Sequence, residues 1–208
     1  MAHTPAVTGA SAAPAPSKAR RASIGARRDP RAEAAILEAA RALLAEKGYS
    51  GFSIDEVARR AGAGKPTIYR WWPTRVDLFI DVYSQEKSAT LVPPDTGALA
   101  ADLEAYTGLL WAFWRETPSG RTFRALIAES QTSAPALSAL RDKFLPERLK
   151  DVRLMFDRGA ARGEVRADDV EASLTLYIGF NWVRLLTDRI EDDPQGISAV
   201  VRLLARAR

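Results

Sequence analysis

The chain has 208 residues, of which 47% are apolar, 30 are basic and 26 acidic, for a formal net charge of +4; it has no cysteine and one histidine, His3. That size and balance suit a soluble folded chain with a small module and a larger one, but the thiols and imidazoles that build most zinc sites and nucleophilic or general-base centres are missing, so neither a metal, a cofactor nor catalysis is expected. The longest clear apolar run, Leu109 to Trp114, is far below the roughly 18 to 20 residues of a membrane span.

Residues 1–30 are rich in Ala, Pro and Ser and hold no apolar segment of secretory length, which predicts a disordered tail and cytoplasmic residence. Charge is concentrated there. Lys18, Arg20, Arg21, Arg27, Arg28 and Arg31 face Asp29 alone, whereas basic and acidic groups nearly balance over 33–79 and over 80–208. A cationic arm ahead of a folded module suits a polyanion, with nucleic acid first; an unrelated basic extension is the competing reading.

Helical spacing begins at about residue 31, where Ala32, Ala35, Ile36, Ala39, Leu43 and Leu44 share a stripe that Lys47 and Gly48 close. Ser53 and Glu56 have the spacing of a capping box, and Ile54, Val57, Ala58 and Ala61 repeat behind them at helical intervals. Gly62, Ala63 and Gly64 interrupt; a third short helix follows over 65–72, with Pro66 tolerated in its first turn and Pro73 as its stop. Thr74 and Asp77 cap a fourth helix through Val76, Phe79, Ile80 and Tyr83 to about Lys87. Beyond Pro93 and Pro94, helices are predicted at 97–116, 120–131, 134–163, 168–190 and 195–207, with no strand pattern and no internal repeat.

Two short helices joined by a glycine-bearing turn fit the major groove of DNA when the second projects side chains outward. Four-residue spacing turns Ile68 and Trp72 inward and leaves Lys65, Pro66, Tyr69 and Arg70 outside. Residues 31–79 resemble the TetR family in order: the amphipathic first helix, Gly48-Tyr49, the Ile54 to Ala61 helix, Ala61-Gly62, the run Lys65-Pro66-Thr67-Ile68-Tyr69-Arg70-Trp71-Trp72-Pro73-Thr74-Arg75, and Leu78. The resemblance implies an all-α chain, with a three-helix helix-turn-helix DNA-binding domain over 31–79 and a helical effector-binding and dimerisation domain over 80–208. It further implies that Lys65 and Pro66 meet base edges, that Thr67, Tyr69 and Trp71 approach the backbone or nearby groups, and that Arg75 at the start of the fourth helix holds a phosphate. Chemistry agrees: lysine donates to guanine O6 or N7, a tyrosine hydroxyl donates to phosphate, and Arg75 lies beside a helix N-terminus. Arg70 joins this set, with a solvated face as its alternative. Gly64 stands where the family often has a serine cap, and Trp71 where a histidine is frequent, so Trp71 either donates to phosphate or packs.

In the larger domain, Val170, Leu174, Tyr177, Ile178 and Leu185 form one apolar stripe while Leu176, Phe180 and Val183 form a second around Gly179. A helix apolar on two sides must bury both. The last helix carries Ile197, Val200, Val201 and Leu204, so helices at 168–189 and 195–207 are expected to pair with their symmetry mates in a homodimer. Trp111, Phe113, Trp114, Phe123, Phe156, Tyr177 and Trp182 accompany Asn181 on an otherwise apolar helix. Large apolar groups with a few polar ones suit a ligand pocket as well as a plain core, and Trp111, Trp114, Phe123, Tyr177 and Asn181 are the candidate effector contacts.

Three functions compete. One is a regulator, a repressor released from its operator by a small apolar or amphipathic ligand. Another is a DNA-binding regulator or architectural factor with no small-molecule effector, which needs no internal cavity of roughly 300 Å³ or more. The third, a helical enzyme using Asp168 with Asp169 or Asp192 with Asp193, is set aside because those pairs stand at a helix start and in a loop, where capping and solvent account for them.

Overall fold

The computed structural model describes residues 29–190 and 193–205, and among them every regular element is helical. The expected tail over 1–28, Asp192 and positions 206–207 of the last expected helix lie outside the described residues.

Helix α1 (Pro30–Lys47) starts at the residue assigned above to the end of the tail, because Asp29 caps it: its carboxylate accepts from the Arg31 N–H at 3.0 Å, and Pro30 fills the first turn, where no donor is needed. Its buried face is Ile36, Leu37, Ala39, Ala40, Leu43 and Leu44, while Ala35 is exposed and Ala32 half-buried. The face turns toward Leu37 and Ala40 because α1 is covered on several sides, by α2 (Ile54–Ala61), α4 (Arg75–Thr90) and α6 (Pro118–Ser130). Gly48 ends α1 at a φ of 63°, which an L side chain rarely adopts.

The Ser53 hydroxyl accepts from the Glu56 N–H at 3.3 Å, but the reciprocal half of the expected capping box is replaced. Glu56 instead takes Arg59 at 2.6 and 2.8 Å and Arg60 at 2.9 Å, and these hydrogen bonds, Arg59's foremost, hold its carboxyl down to about 2. Gly62 closes α2 in the left-handed region at a φ of 61°, turning the chain into α3 (Lys65–Trp71). Thr74 and Asp77 form a complete box, each side chain bonded to the other's backbone N–H, and α4 runs on to Thr90, slightly past its expected end.

Helix α5 (Leu99–Glu116) lies on α6, α8 (Leu145–Ala161) and α10 (Pro194–Leu204), and α9 (Val170–Leu186) lies on α8 and α10. The single helix expected over 134–163 is broken into α7 (Ala134–Ser138), a π-helical stretch Ala139–Phe144, and α8. Pro146 supplies the reason. Without an N–H, and with a ring that crowds the carbonyl four residues back, it cannot continue a regular helix, and the widened π turn lies immediately ahead of it. The helix expected over 168–190 is also shorter, beginning with the 3-10 turn Ala167–Asp169 and ending at Leu186.

Gly120 fixes how α5 meets α6. A Cβ there would collide with the Phe113 carbonyl oxygen and lie 2.6 Å from the Trp114 Cα, neither of which can move without opening the α5–α6 corner. Gly120→Ala is therefore expected to cost about 2 kcal/mol or more. A urea unfolding midpoint equal to that of the unsubstituted chain would contradict so close an approach.

Candidate nucleic-acid interface and aromatic cavity

Helix α3 is held from beneath and open above. Ile68 and Trp72 are buried, and the Trp72 indole N–H donates to Asp81 of α4 at 2.6 Å, tying the end of α3 to the helix that follows. Lys65, Pro66, Tyr69 and Arg70 are exposed around the rest of the helix, Pro66 and Arg70 opposite Ile68, and Lys65 and Tyr69 at its flank, while Thr67 and Trp71 are half-buried. Gly64 caps α3 with no side-chain hydrogen bond. Lys65 Nζ lies 2.7 Å from an Asp55 carboxylate oxygen, but both side chains are more than half exposed, so the pair holds the lysine weakly. The Arg70 guanidinium stands 5.7 Å from the Trp71 ring centroid, and Trp71 packs edge-on against Trp72. The four outward groups span the helix from Lys65 to Arg70 and present two cations, a phenol and an apolar ring.

Arg75 stands apart from them. Its Nε donates to Glu129 of α6 at 2.7 Å, its Nη2 donates to the other oxygen of that carboxylate, and its Nη1 approaches the Phe52 carbonyl at 3.4 Å. The guanidinium also lies 5.0 Å from the Tyr49 ring centroid. The Glu129 hydrogen bonds raise the affinity of Arg75 for its proton, and burial, reinforced by Glu129, pushes the Tyr49 phenol up to about 12. In this conformation a phosphate reaching Arg75 competes with Glu129 for it.

The candidate effector residues divide. Trp114, Phe123, Tyr177 and Asn181 line a cavity of about 60 Å³ with Tyr83 and Lys87 of α4 and Arg148 of α8, but Trp111 does not line it. Trp111 is buried behind it, its indole N–H donating to Asn181 Oδ1 at 2.7 Å, while the Asn181 amide donates to the Tyr177 carbonyl at 2.8 Å. Asn181 is thus engaged at both ends. The Tyr177 and Thr107 hydroxyls share a 2.7 Å hydrogen bond, and the Trp114 N–H donates to the Tyr83 hydroxyl at 2.8 Å. Burial pushes the Tyr83 phenol up to about 12 and raises Tyr177 and Tyr106 as well, so all three remain neutral. Sequence periodicity did not single out Tyr83, Lys87 or Arg148 as lining groups. Tyr83 was legible only as a core position of α4, and a lone arginine or lysine on a helix carries no mark of enclosure.

Residues 36–82 match the model of bacterial regulatory proteins of the tetR family, and residues 93–204 match that of the tetracyclin repressor-like C-terminal domain. The chain is 31% identical over 171 residues to the HTH-type transcriptional regulator YdeS of Bacillus subtilis, covering 81% of this chain and 86% of that one. It is also 31% identical over 138 residues to the DNA-binding transcriptional repressor TetR of Mycobacteroides abscessus, covering 65% and 71%. The crystal structure of the TetR family transcription regulator SCO0332 superposes with a TM-score of 0.73 at 31% identity, covering 84% of this chain and 97% of that one.

The Trp111–Asn181 bond is enclosed and has no solvent to replace it. Trp111→Phe is expected to destabilise the fold by about 1 to 3 kcal/mol, because Asn181 Oδ1 is left unpaired in a buried site. Combining it with Asn181→Leu should recover part of that loss in a double-mutant cycle of unfolding midpoints. Strict additivity would mean that the bond contributes nothing.

Proposed function

This chain belongs to the TetR family of helix-turn-helix transcriptional regulators, and we propose that it is a dimeric repressor which reads a two-fold operator with α3 and leaves it when a small apolar or amphipathic molecule enters the cavity behind α4. As a member of that family it is a DNA-binding regulator and not an enzyme. The observation that carries the reading is the outward face of α3. Lys65, Pro66, Tyr69 and Arg70 stand exposed on a helix whose other face is anchored by Ile68 and Trp72, the arrangement a recognition helix needs to enter the major groove as a rigid body. In this reading Lys65 and Pro66 meet base edges, Thr67, Tyr69, Arg70 and Trp71 lie along the backbone, and Arg75 exchanges Glu129 for a phosphate.

A dimer is supported by what one chain leaves uncovered. Leu176 and Val183 on α9 and Leu203 on α10 are 64%, 61% and 67% exposed, large apolar side chains left uncovered on the two helices expected to form the bundle. The repressor reading draws on the relative of that name in Mycobacteroides abscessus. Ligand release is supported by the position of Tyr83 and Lys87, which are at once wall of the cavity and part of the helix that carries α3. A molecule that parts those walls displaces α4 and changes the spacing of the two recognition helices. A hundredfold preference for the displaced state corresponds to about 2.7 kcal/mol per dimer.

One observation favours a second reading, in which no small molecule acts: the cavity, at about 60 Å³, is much smaller than the roughly 300 Å³ of an ordinary ligand site. Screening small apolar and amphipathic molecules for operator release separates the two, and a screen with no active compound would favour the second.

Operator binding itself is tested by fluorescence anisotropy on selected and random duplexes. Lys65→Ala should lose about 1 to 3 kcal/mol on the operator and little on random DNA, whereas Arg75→Ala should weaken both alike. Glu129→Ala removes the competitor for Arg75 and should strengthen binding to both duplexes. Equal losses on both DNAs for Lys65→Ala, or weaker binding for Glu129→Ala, would contradict these assignments. The pair Leu176→Glu and Val183→Glu should yield monomers in sedimentation and abolish operator binding; a persistent dimer would move the interface elsewhere.

A further inference from the structure

The small aromatic cavity adjoins a second, larger space. A cleft of about 560 Å³ runs between α4, the π-helical stretch and α8, and Lys87 and Arg148 line both cleft and cavity. They form the partition between an apolar interior, walled by Leu110, Trp114, Phe123, Phe144, Leu149 and Trp182, and a charged exterior.

The acids on this partition already have donors. Asp151 accepts from Lys87 Nζ at 2.6 Å and from the Tyr106 hydroxyl at 3.2 Å, and Glu147 accepts from Lys150 at 2.7 and 2.8 Å. In the cleft, Asp77 is held by Lys143 and Asp81 by the Trp72 indole. Glu86, whose Oε2 is enclosed and unpartnered, lines neither space. The polar groups of the cavity are likewise joined to one another: Tyr83 to Trp114, Tyr177 to Thr107, Asn181 to Trp111.

Arg148 is the exception. Its Nε and Nη1 are fully enclosed and have no hydrogen-bond partner among the described residues. The Tyr83 and Phe144 rings lie against the guanidinium, with centroids 4.9 and 5.3 Å away, and the carboxylates of Asp151 and Glu147, already held by other donors, act on it only through space. Burial lowers its hold on the proton from the ordinary value, yet an arginine remains charged. Enclosed donors on a cation without an acceptor are costly, and the acceptor that best relieves them is itself an anion.

We propose that the effector is an amphipathic carboxylate, its aliphatic or aromatic body parting the walls of the cavity of about 60 Å³ among Trp114, Phe123 and Trp182 and its carboxylate accepting from Arg148 at the mouth of the α4–α8 cleft. The assignment rests on the reading of this cavity as the effector site and adds the chemistry of the ligand. Because Tyr83 and Lys87 on α4 stand beside Arg148, a carboxylate arriving there acts on the helix that carries α3.

The test is calorimetric titration of the full chain with decanoate and phenylacetate, each against its primary amide, which keeps the shape and removes the charge. The acids should bind about tenfold tighter than the amides or better. R148Q should lose that preference while keeping amide affinity, which also reports that the variant is folded. R148K, with a point charge on a different stem, should bind the acids more weakly than the unsubstituted chain. Amides that bind as well as acids would overturn the proposal and leave the cavity reading standing. An acid preference that survives R148Q, or undiminished acid affinity in R148K, would overturn it by moving the charge to another residue. If neither acid nor amide binds the unsubstituted chain, the cavity reading fails and the proposal with it.

Discussion

Helix α4 runs through one continuous core from the small module into the larger one, and the position of every outward side chain on α3 depends on that. At its start Val76 and Phe79 pack under the small module, where the Phe79 ring meets Tyr49 edge-on at 5.4 Å. One turn further, Tyr83 lies among Phe113, Phe123 and Phe144 of the larger module, with ring centroids 4.9 to 5.4 Å away. No flexible linker separates these contacts, since they fall on one uninterrupted helix opened by the Thr74–Asp77 box. A helix transmits rotation along its axis with little loss, because bending it requires breaking its backbone hydrogen bonds or a specific kink. The Trp72–Asp81 bond extends the rigid body to the end of α3.

Charged side chains gather where the modules meet. Arg75 of α4 reaches Glu129 of α6, Lys143 reaches Asp77 at the foot of α4, and Lys87, only 4% exposed, reaches Asp151 of α8. Burial of such groups costs desolvation that their pairing only partly returns, and burial lowers the hold of Lys87 on its proton despite its partner. What these pairs supply is direction. An apolar contact tolerates sliding by an ångström, whereas an arginine held by both oxygens of a carboxylate does not. The setting of α4 against α6, the π-helical stretch and α8 is therefore tied at three points along one helix.

The π-helical stretch contributes in a different way. By widening the backbone ahead of Pro146 it sets the register of α8, so that Phe144 and Leu145 face the cavity and Arg148 arrives at its rim. The uncovered residues of α9 and α10 have no comparable role inside one chain. They lie away from the buried Leu174, Tyr177, Leu185 and Val201, and their exposure reflects a fold that buries only one of two apolar faces.

The sequence alone determined the helical class, the caps at Ser53 and Thr74, the glycine turn at Gly62 and the inward and outward faces of α3, because each follows from interactions among residues within about four positions of one another. Even the break before α8 was written locally, in Pro146. Tertiary structure alone decided which polar groups would be enclosed and by whom. Arg75 meets an acid 54 residues away, Trp111 turns from the cavity that Trp114 lines, and Arg148, like any arginine on a solvated face in its spacing, has two donors sealed among aromatic rings. Periodicity states which side of a helix faces inward; what it meets there is set by the packing of helices distant in the chain, and the energy of a buried charge depends on that partner far more than on its own neighbours in sequence.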